Sequence, residues 1–272
     1  MLWPSRTVAS VEELDRELHG LPTGERQAFT RGQSNAAWKL EPTIDRQSRR
    51  PCSPQERAEE ELALLEEFSN IAPRFLGPLE HNYLATRVNG WHFTVASVMQ
   101  HYGAPTRLLD WTISPWVAAY FAVIDDSDKD GVIWWFSCGT YASCMERQWN
   151  KLGWKTNSQP SDNPVAKAFQ PDCPEFITQA QLGIPFERAS AQQGVFTLAA
   201  PLGCYHDDVL AKVLEAGSYG RLLIPARIKK SVEGMLYTMN IHAQSLRHAR
   251  ADHEGFNMNW RLRESRTGIA TS

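Results

Sequence analysis

The chain has 272 residues, with 28 Lys and Arg against 31 Asp and Glu and a formal net charge of −3. That length suits one large domain, or one domain with a small subdomain, and the charge balance excludes a global attraction to polyanions, leaving only local basic patches. Five cysteines without a Cys-x-x-Cys pair argue against a zinc site and a disulfide framework, and they fit a reducing cytoplasm. No segment approaches the roughly 20 apolar residues of a membrane span. The amino terminus has no apolar run of signal-peptide type. A cytoplasmic protein with no membrane partner is expected.

Ser10-Val11-Glu12-Glu13 is a capping-box pattern ahead of Val11, Leu14 and Leu18 at helical spacing, and Gly20 and Pro22 end that helix. Arg26 to Arg31 reads as a short strand running into Gly32-Gln33-Ser34-Asn35. Trp38 to Pro42 continues extended, and Arg46 to Pro51 is a basic turn. Ser53-Pro54-Gln55-Glu56 is the strongest helix start in the chain, combining N-cap, first-position proline and third-position glutamate. Its apolar face is Ala58, Leu62, Leu65, Phe68 and Ala72. Glu56, Glu59, Glu60, Glu61, Glu66 and Glu67 fall mostly on the solvated side.

A second helix is expected over His92 to Tyr102, with Val95, Val98, Met99 and Tyr102 inward, and Gly103 and Pro105 end it. Thr106 to Thr112 then forms a short connector carrying Arg107 and Asp110, and Ser114-Pro115 opens the next helix. Burying either charge alone is costly, so the two either compensate each other or face a ligand. Asp125 to Gly131 is a charged turn without EF-hand spacing. Val132 to Phe136 is a buried central strand, and Thr140 to Leu152 is helical. Thr156 to Pro174 is a long polar loop. Arg188 to Phe196 alternates as a strand with Gln192, Gly194 and Phe196 on one face. Further on come a helix over Asp207 to Ala216, a strand over Arg221 to Pro225, and a helix over Arg227 to Asn240. The inner face of the last is Ile228, Val232, Met235, Leu236 and Met239. The strands are interspersed among helices without regular alternation, which indicates an α+β single domain with a central mixed or antiparallel sheet flanked by helices.

Three segments resemble the FRG domain family, named for a Phe-Arg-Gly motif. The first is Phe29-Thr30-Arg31-Gly32-Gln33, followed by Trp38, Leu40, Pro42 and Arg46. It departs from the family pattern by one residue between the Phe and the Arg. The second is Gln100-His101-Tyr102-Gly103 with Pro105-Thr106-Arg107-Leu108-Leu109-Asp110-Trp111-Thr112, Ser114-Pro115 and Ala119 to Ala122. The third is Arg188 with Ala191-Gln192 and Gly194-Val195-Phe196. On this resemblance the FRG domain covers residues 25–264, after a helical lead-in over 1–24 and before a frayed tail over 265–272.

The layout is similar to that of ADP-ribosyltransferases, which implies an ADP-ribosyltransferase-like fold and NAD as donor substrate, with no metal. Arg31 would grip NAD, Asp110 would orient the arginines, and Gln192 would bond the nicotinamide ribose, where those enzymes usually carry Glu. Gly32, Gln33, His101, Arg107, Trp111, Thr112, Tyr120 and Arg188 would line the NAD site. The resemblance implies a toxin or phage-defence setting, with RNA, DNA or protein as target and an antitoxin or regulatory partner.

For several of these residues the reading stays open. Arg31 suits a pyrophosphate cradle beside the free backbone of Gly32, or a pairing with Asp110 or Glu41. Arg107 suits a phosphate contact or a structural salt bridge. Trp111 and Tyr120 suit ring stacking or core packing. Beside the enzyme stands a module of another kind, a non-catalytic FRG unit that recognises a nucleotide or an RNA end.

Overall fold

The computed structural model describes residues 3–47, 53–74, 76–77, 81–82, 84, 90–154, 164–170, 172–180 and 187–246. Seven strands form one sheet in the order β1-β7-β4-β2-β3-β6-β5. They are β1 (Ser5–Thr7), β2 (Ala28–Gln33), β3 (Leu108–Thr112), β4 (Gly131–Ser137), β5 (Phe176–Ala180), β6 (Gly194–Ala200) and β7 (Tyr219–Ile224). Only the edge pair β1–β7 is parallel, so the α+β expectation with a mixed sheet holds. The helices are α1 (Val11–His19), α2 (Thr43–Gln47), α3 (Pro54–Ile71), α4 (Trp91–His101), α5 (Pro115–Val123), α6 (Cys138–Lys151), α7 (Pro164–Lys167), α8 (Glu187–Gln192), α9 (His206–Val213) and α10 (Ala226–Thr238). None is long and apolar enough to cross a membrane among the described residues.

Local signals start the helices where the sequence places them. The Ser10 hydroxyl accepts from the Glu13 N–H, the Ser53 capping box closes in both directions, and the Ser114 hydroxyl accepts from the Val117 N–H. Gly103 ends the run after α4 at φ +76, a conformation costly for other residues. One face of the sheet carries two helix layers side by side. α1, α5 and α10 cover the β1-β7-β4-β2 side, and α3, α4 and α7 cover the β3-β6-β5 side. α6 and α9 close the opposite face over Trp111, Trp134 and Phe136.

α5 lies unusually close to the sheet. A Cβ at Gly32 would sit 1.8 Å from the Ala118 carbonyl oxygen, and one at Gly131 would sit 2.1 Å from the Ala122 oxygen. Both glycines are therefore required by helix-on-strand contact. The charged turn between α5 and β4 is held by a lysine. Lys229 donates from Nζ to the carbonyls of Ser34, Asp125 and Asp126 at 2.7, 3.0 and 2.8 Å, so its ammonium neutralises the aspartate-rich turn from within.

Several expectations need correction. Thr106 to Thr112 is not a connector; it contains β3, paired along its whole length with β6. Arg46 lies in α2, and residues 48–52 fall outside the described chain. Gln192 ends helix α8, and β6 begins at Gly194 after Gln193 takes φ +50, so residues 188–192 are not strand. Glu61 is buried on the inner face of α3. Met239 is 44% exposed rather than inward. The lead-in over 1–24 contributes β1, which adds to the sheet edge beside β7. The tail from 265 falls outside the described residues.

Candidate functional site

β2 and β3 share one bridge pair, Thr30 with Thr112, while each is fully laddered to its other neighbour. The sheet therefore parts just beyond Thr30. Had the ladder continued, Asp110 would have faced Gly32. Instead the Arg31 side chain enters the gap and donates from Nη1 to the Asp110 carbonyl at 2.6 Å, with the Asp110 carboxylate 3.9 Å away. Arg31 is largely enclosed, at 18% side-chain exposure, and its Nε is buried with no partner. Asp110 keeps 54% of its side chain exposed.

The second motif knits itself around this point. Gln100 donates from Nε2 to the Asp110 carboxylate at 2.7 Å, and its Oε1 accepts from the Thr106 hydroxyl. That hydroxyl in turn accepts from the Leu108 N–H at 3.2 Å. Helix α2 is docked here too, through the Ile44 N–H to the Thr106 carbonyl at 3.2 Å. Arg46, two residues on, is exposed and acts electrostatically on Arg31. Burial lowers the Arg31 pKa first. The Asp110 carboxylate opposes that, and the Arg46 cation adds to it. The Arg31 guanidinium and the exposed Asp110 carboxylate therefore meet where the sheet opens, within the field of the Arg46 cation.

The other expected residues do not join them. Arg107 is turned into the core, 2% exposed, with Nε donating to both Glu61 oxygens at 2.7 and 2.9 Å and Nη2 bonded to Glu61 as well. Its Nη1 reaches the carbonyl of Ala168, and the guanidinium lies 4.8 Å from the Phe169 ring centroid. This is the structural salt bridge, not a phosphate contact. Trp111 and Tyr120 are each 2% exposed and belong to the core, which excludes ring stacking on a ligand. Gly32 stands opposite Ile133 in the register of β2 and β4, one residue past Arg31 on the margin of the parting. Gln33 accepts from the Trp134 indole at 2.7 Å and donates to the Lys39 carbonyl at 3.2 Å.

Thr112 donates from its hydroxyl to the Gln192 carbonyl at 2.6 Å, which brings the end of α8 to the end of β3. The Gln192 amide points elsewhere, donating to the Leu246 carbonyl at 3.1 Å. His101 ends α4 with its ring edge-on to Tyr102 at 5.1 Å. Arg188 falls in α8, and its side chain lies outside the described part.

Sequence reasoning missed Gln100, Arg46 and His206. His206 is buried under β6, with Nδ1 2.9 Å from the Thr197 hydroxyl, which also accepts from the Trp111 indole at 2.8 Å. Burial, and then the Arg31 cation, push its pKa down to about 3, so the ring is neutral. The Nε2 of the ring is buried with no hydrogen-bond partner. The signal for Gln100 and Arg46 was their place within motif spacing.

The family model of the FRG domain matches residues 26–131, from the turn before β2 to the first residue of β4. An FRG domain is thus present there, and it spans Arg31, Arg46, Gln100 and Asp110, while the third motif lies beyond its end. No curated protein and no solved structure matches the chain.

Proposed function

We propose that the chain is an NAD-dependent ADP-ribosyltransferase acting on a macromolecule, nucleic acid or protein, in a toxin or phage-defence setting. The observation that carries this reading is the Arg31–Asp110 pair at the parting of β2 and β3, with one guanidinium nitrogen unpartnered and the carboxylate half open. Arg31 and Arg46 repel each other unless an anion lies between them, and a pyrophosphate is such an anion with matching oxygens. With the pyrophosphate held, the bond from the ribose C1′ to the nicotinamide nitrogen breaks. Its electron pair goes to the pyridinium ring, and nicotinamide leaves neutral. Positive charge then develops on C1′, and the Asp110 carboxylate, steadied by Gln100, offsets it. An oxygen or nitrogen of the acceptor attacks C1′ and gives its proton to solvent water. Asp110 thereby takes the charge-bearing role that a neutral Gln192 cannot fill.

The direct test is the purified chain with NAD labelled on its adenylate, in a cell lysate, scored for transferred label and released nicotinamide. Asp110→Asn should lower release by on the order of a hundredfold while keeping NAD-dependent thermal stabilisation. Arg31→Lys should lose both. Folded protein giving neither transfer nor nicotinamide overturns the proposal.

A second reading rests on the Gln192 amide being committed to Leu246. In it the Arg31–Asp110 pair belongs to a non-catalytic site for a nucleotide or an RNA end. Thermal stabilisation by NAD that disappears in Arg31→Ala, without turnover in any variant, would favour that module.

A further inference from the structure

Among the described residues Trp38 is the one exposed tryptophan, at 44%. Its indole makes no hydrogen bond and no ring contact there. The exposure is imposed by the backbone on both sides. The Asn35 side chain accepts from the Ala37 N–H at 2.9 Å, and the Asn35 carbonyl accepts from the Trp38 N–H at 3.1 Å. The Ala36 N–H donates to the Asp130 carbonyl at 2.7 Å. Two residues past Trp38, Leu40 is fully buried. Its N–H donates to the Asp207 carboxylate and its carbonyl accepts from the His206 N–H, both at 3.0 Å. A fixed turn therefore holds a large apolar ring in water, an arrangement that burial alone disfavours.

The same segment passes Arg31. Gln33 follows Arg31 by two residues on the same face of β2, about 7 Å along the strand. Its amide donates to the Lys39 carbonyl at 3.2 Å, which ties the residue after Trp38 to that face. From there Leu40 reaches the start of α9, where His206 contacts Thr197 on β6. Residues 38–40 thus cross from β2 toward β6, over the parting of β2 and β3 that Arg31 fills. Asp110 flanks the guanidinium from β3, and Trp38 stands on the β2 side. With the nicotinamide ribose at Asp110 and the pyrophosphate at Arg31, the other end of the dinucleotide runs toward Trp38. A preset, unpaired indole there suits a purine face.

We propose that Trp38 stacks on the adenine of the bound dinucleotide and sets the preference of the Arg31 site for the adenosine half over the nicotinamide half alone. This rests on the NAD reading above and assigns a residue which that reading leaves without a role.

The test uses the full chain labelled with fluorotryptophan, with the Trp38 resonance assigned by Trp38→Phe. NAD, ADP-ribose and nicotinamide mononucleotide are titrated separately and followed by fluorine NMR. The Trp38 signal should shift with NAD and ADP-ribose and stay in place with nicotinamide mononucleotide. Trp38→Ala, an exposed change that keeps the fold, should weaken ADP-ribose binding about tenfold or more, and Trp38→Phe should recover most of the loss. An undiminished affinity in Trp38→Ala overturns the assignment, as does a Trp38 signal that responds equally to nicotinamide mononucleotide. Either result, with NAD binding still lost in Arg31→Ala, leaves the NAD reading standing. Folded parent protein that binds neither NAD nor ADP-ribose overturns both.

Discussion

Arg107 and Arg31 are two motif arginines that have settled into opposite conditions. Arg107 is closed off, its charge matched by an equally buried Glu61 and its remaining donors directed at main-chain carbonyls. Arg31 is held by one carbonyl, keeps an orphan Nε, and faces a carboxylate that water still reaches. The first arrangement gives every guanidinium nitrogen a partner inside the protein and buries it away from any ligand. The second is incomplete as it stands, with one buried donor left over. Motif membership did not distinguish the two, whereas donor satisfaction does.

The largest effect is expected from breaking the closed pair. Glu61→Ala leaves a guanidinium buried without its counter-charge and should cost about 3–5 kcal/mol in urea unfolding. Changing both partners, Glu61→Leu with Arg107→Leu, should recover most of that loss, because the apolar pair carries no desolvation penalty. If Glu61→Ala alone proves nearly neutral, the contrast between the two arginines collapses.

His206 lies within reach of both arginines, and its titration reports on them. Its folded pKa, about 3, is below the ordinary value of 6.5, so below pH 6.5 the unfolded chain binds a proton that the folded chain refuses. The stability from a neutral His206 is therefore complete above pH 6.5. It is lost as pH falls toward 3, with a slope approaching about 1.4 kcal/mol per pH unit. Unfolding followed from neutral to acid pH should show a flatter acid limb in His206→Gln. Equal acid limbs in the two proteins would mean that His206 takes its proton while folded.

Much of this was legible wherever the cause is local. Ser10, Ser53 and Ser114 announce their helices because a cap needs only the residues beside it. β1 could not be read, since three exposed residues become a strand only by pairing with β7 far along the chain. Glu61 sits three residues after Ala58 and four before Leu65, so spacing had put it on the buried stripe. Its charge argued for solvent because the compensating Arg107 was invisible. Gln192, Gly194 and Phe196 alternate like a strand, but a short alternation is also compatible with a helix end, and the break falls at Gln193. Gly32 shows the remaining limit. The sequence reveals that something approaches closely, and only the fold reveals that it is the Ala118 carbonyl of α5.

The smallest stability effect should come from Arg31 itself, and that is what makes it informative. Arg31→Met removes one hydrogen bond to the Asp110 carbonyl, a contribution of about 0.5–1.5 kcal/mol. It also removes a buried donor with no partner, whose burial costs about 1–3 kcal/mol. The two nearly offset, so unfolding stability should stay within about 1 kcal/mol of the parent. The stabilisation conferred by NAD should vanish, because the guanidinium that would receive the pyrophosphate is gone. A loss as large as that of Glu61→Ala would instead make Arg31 a second structural arginine and remove the basis for a ligand at the parting of β2 and β3.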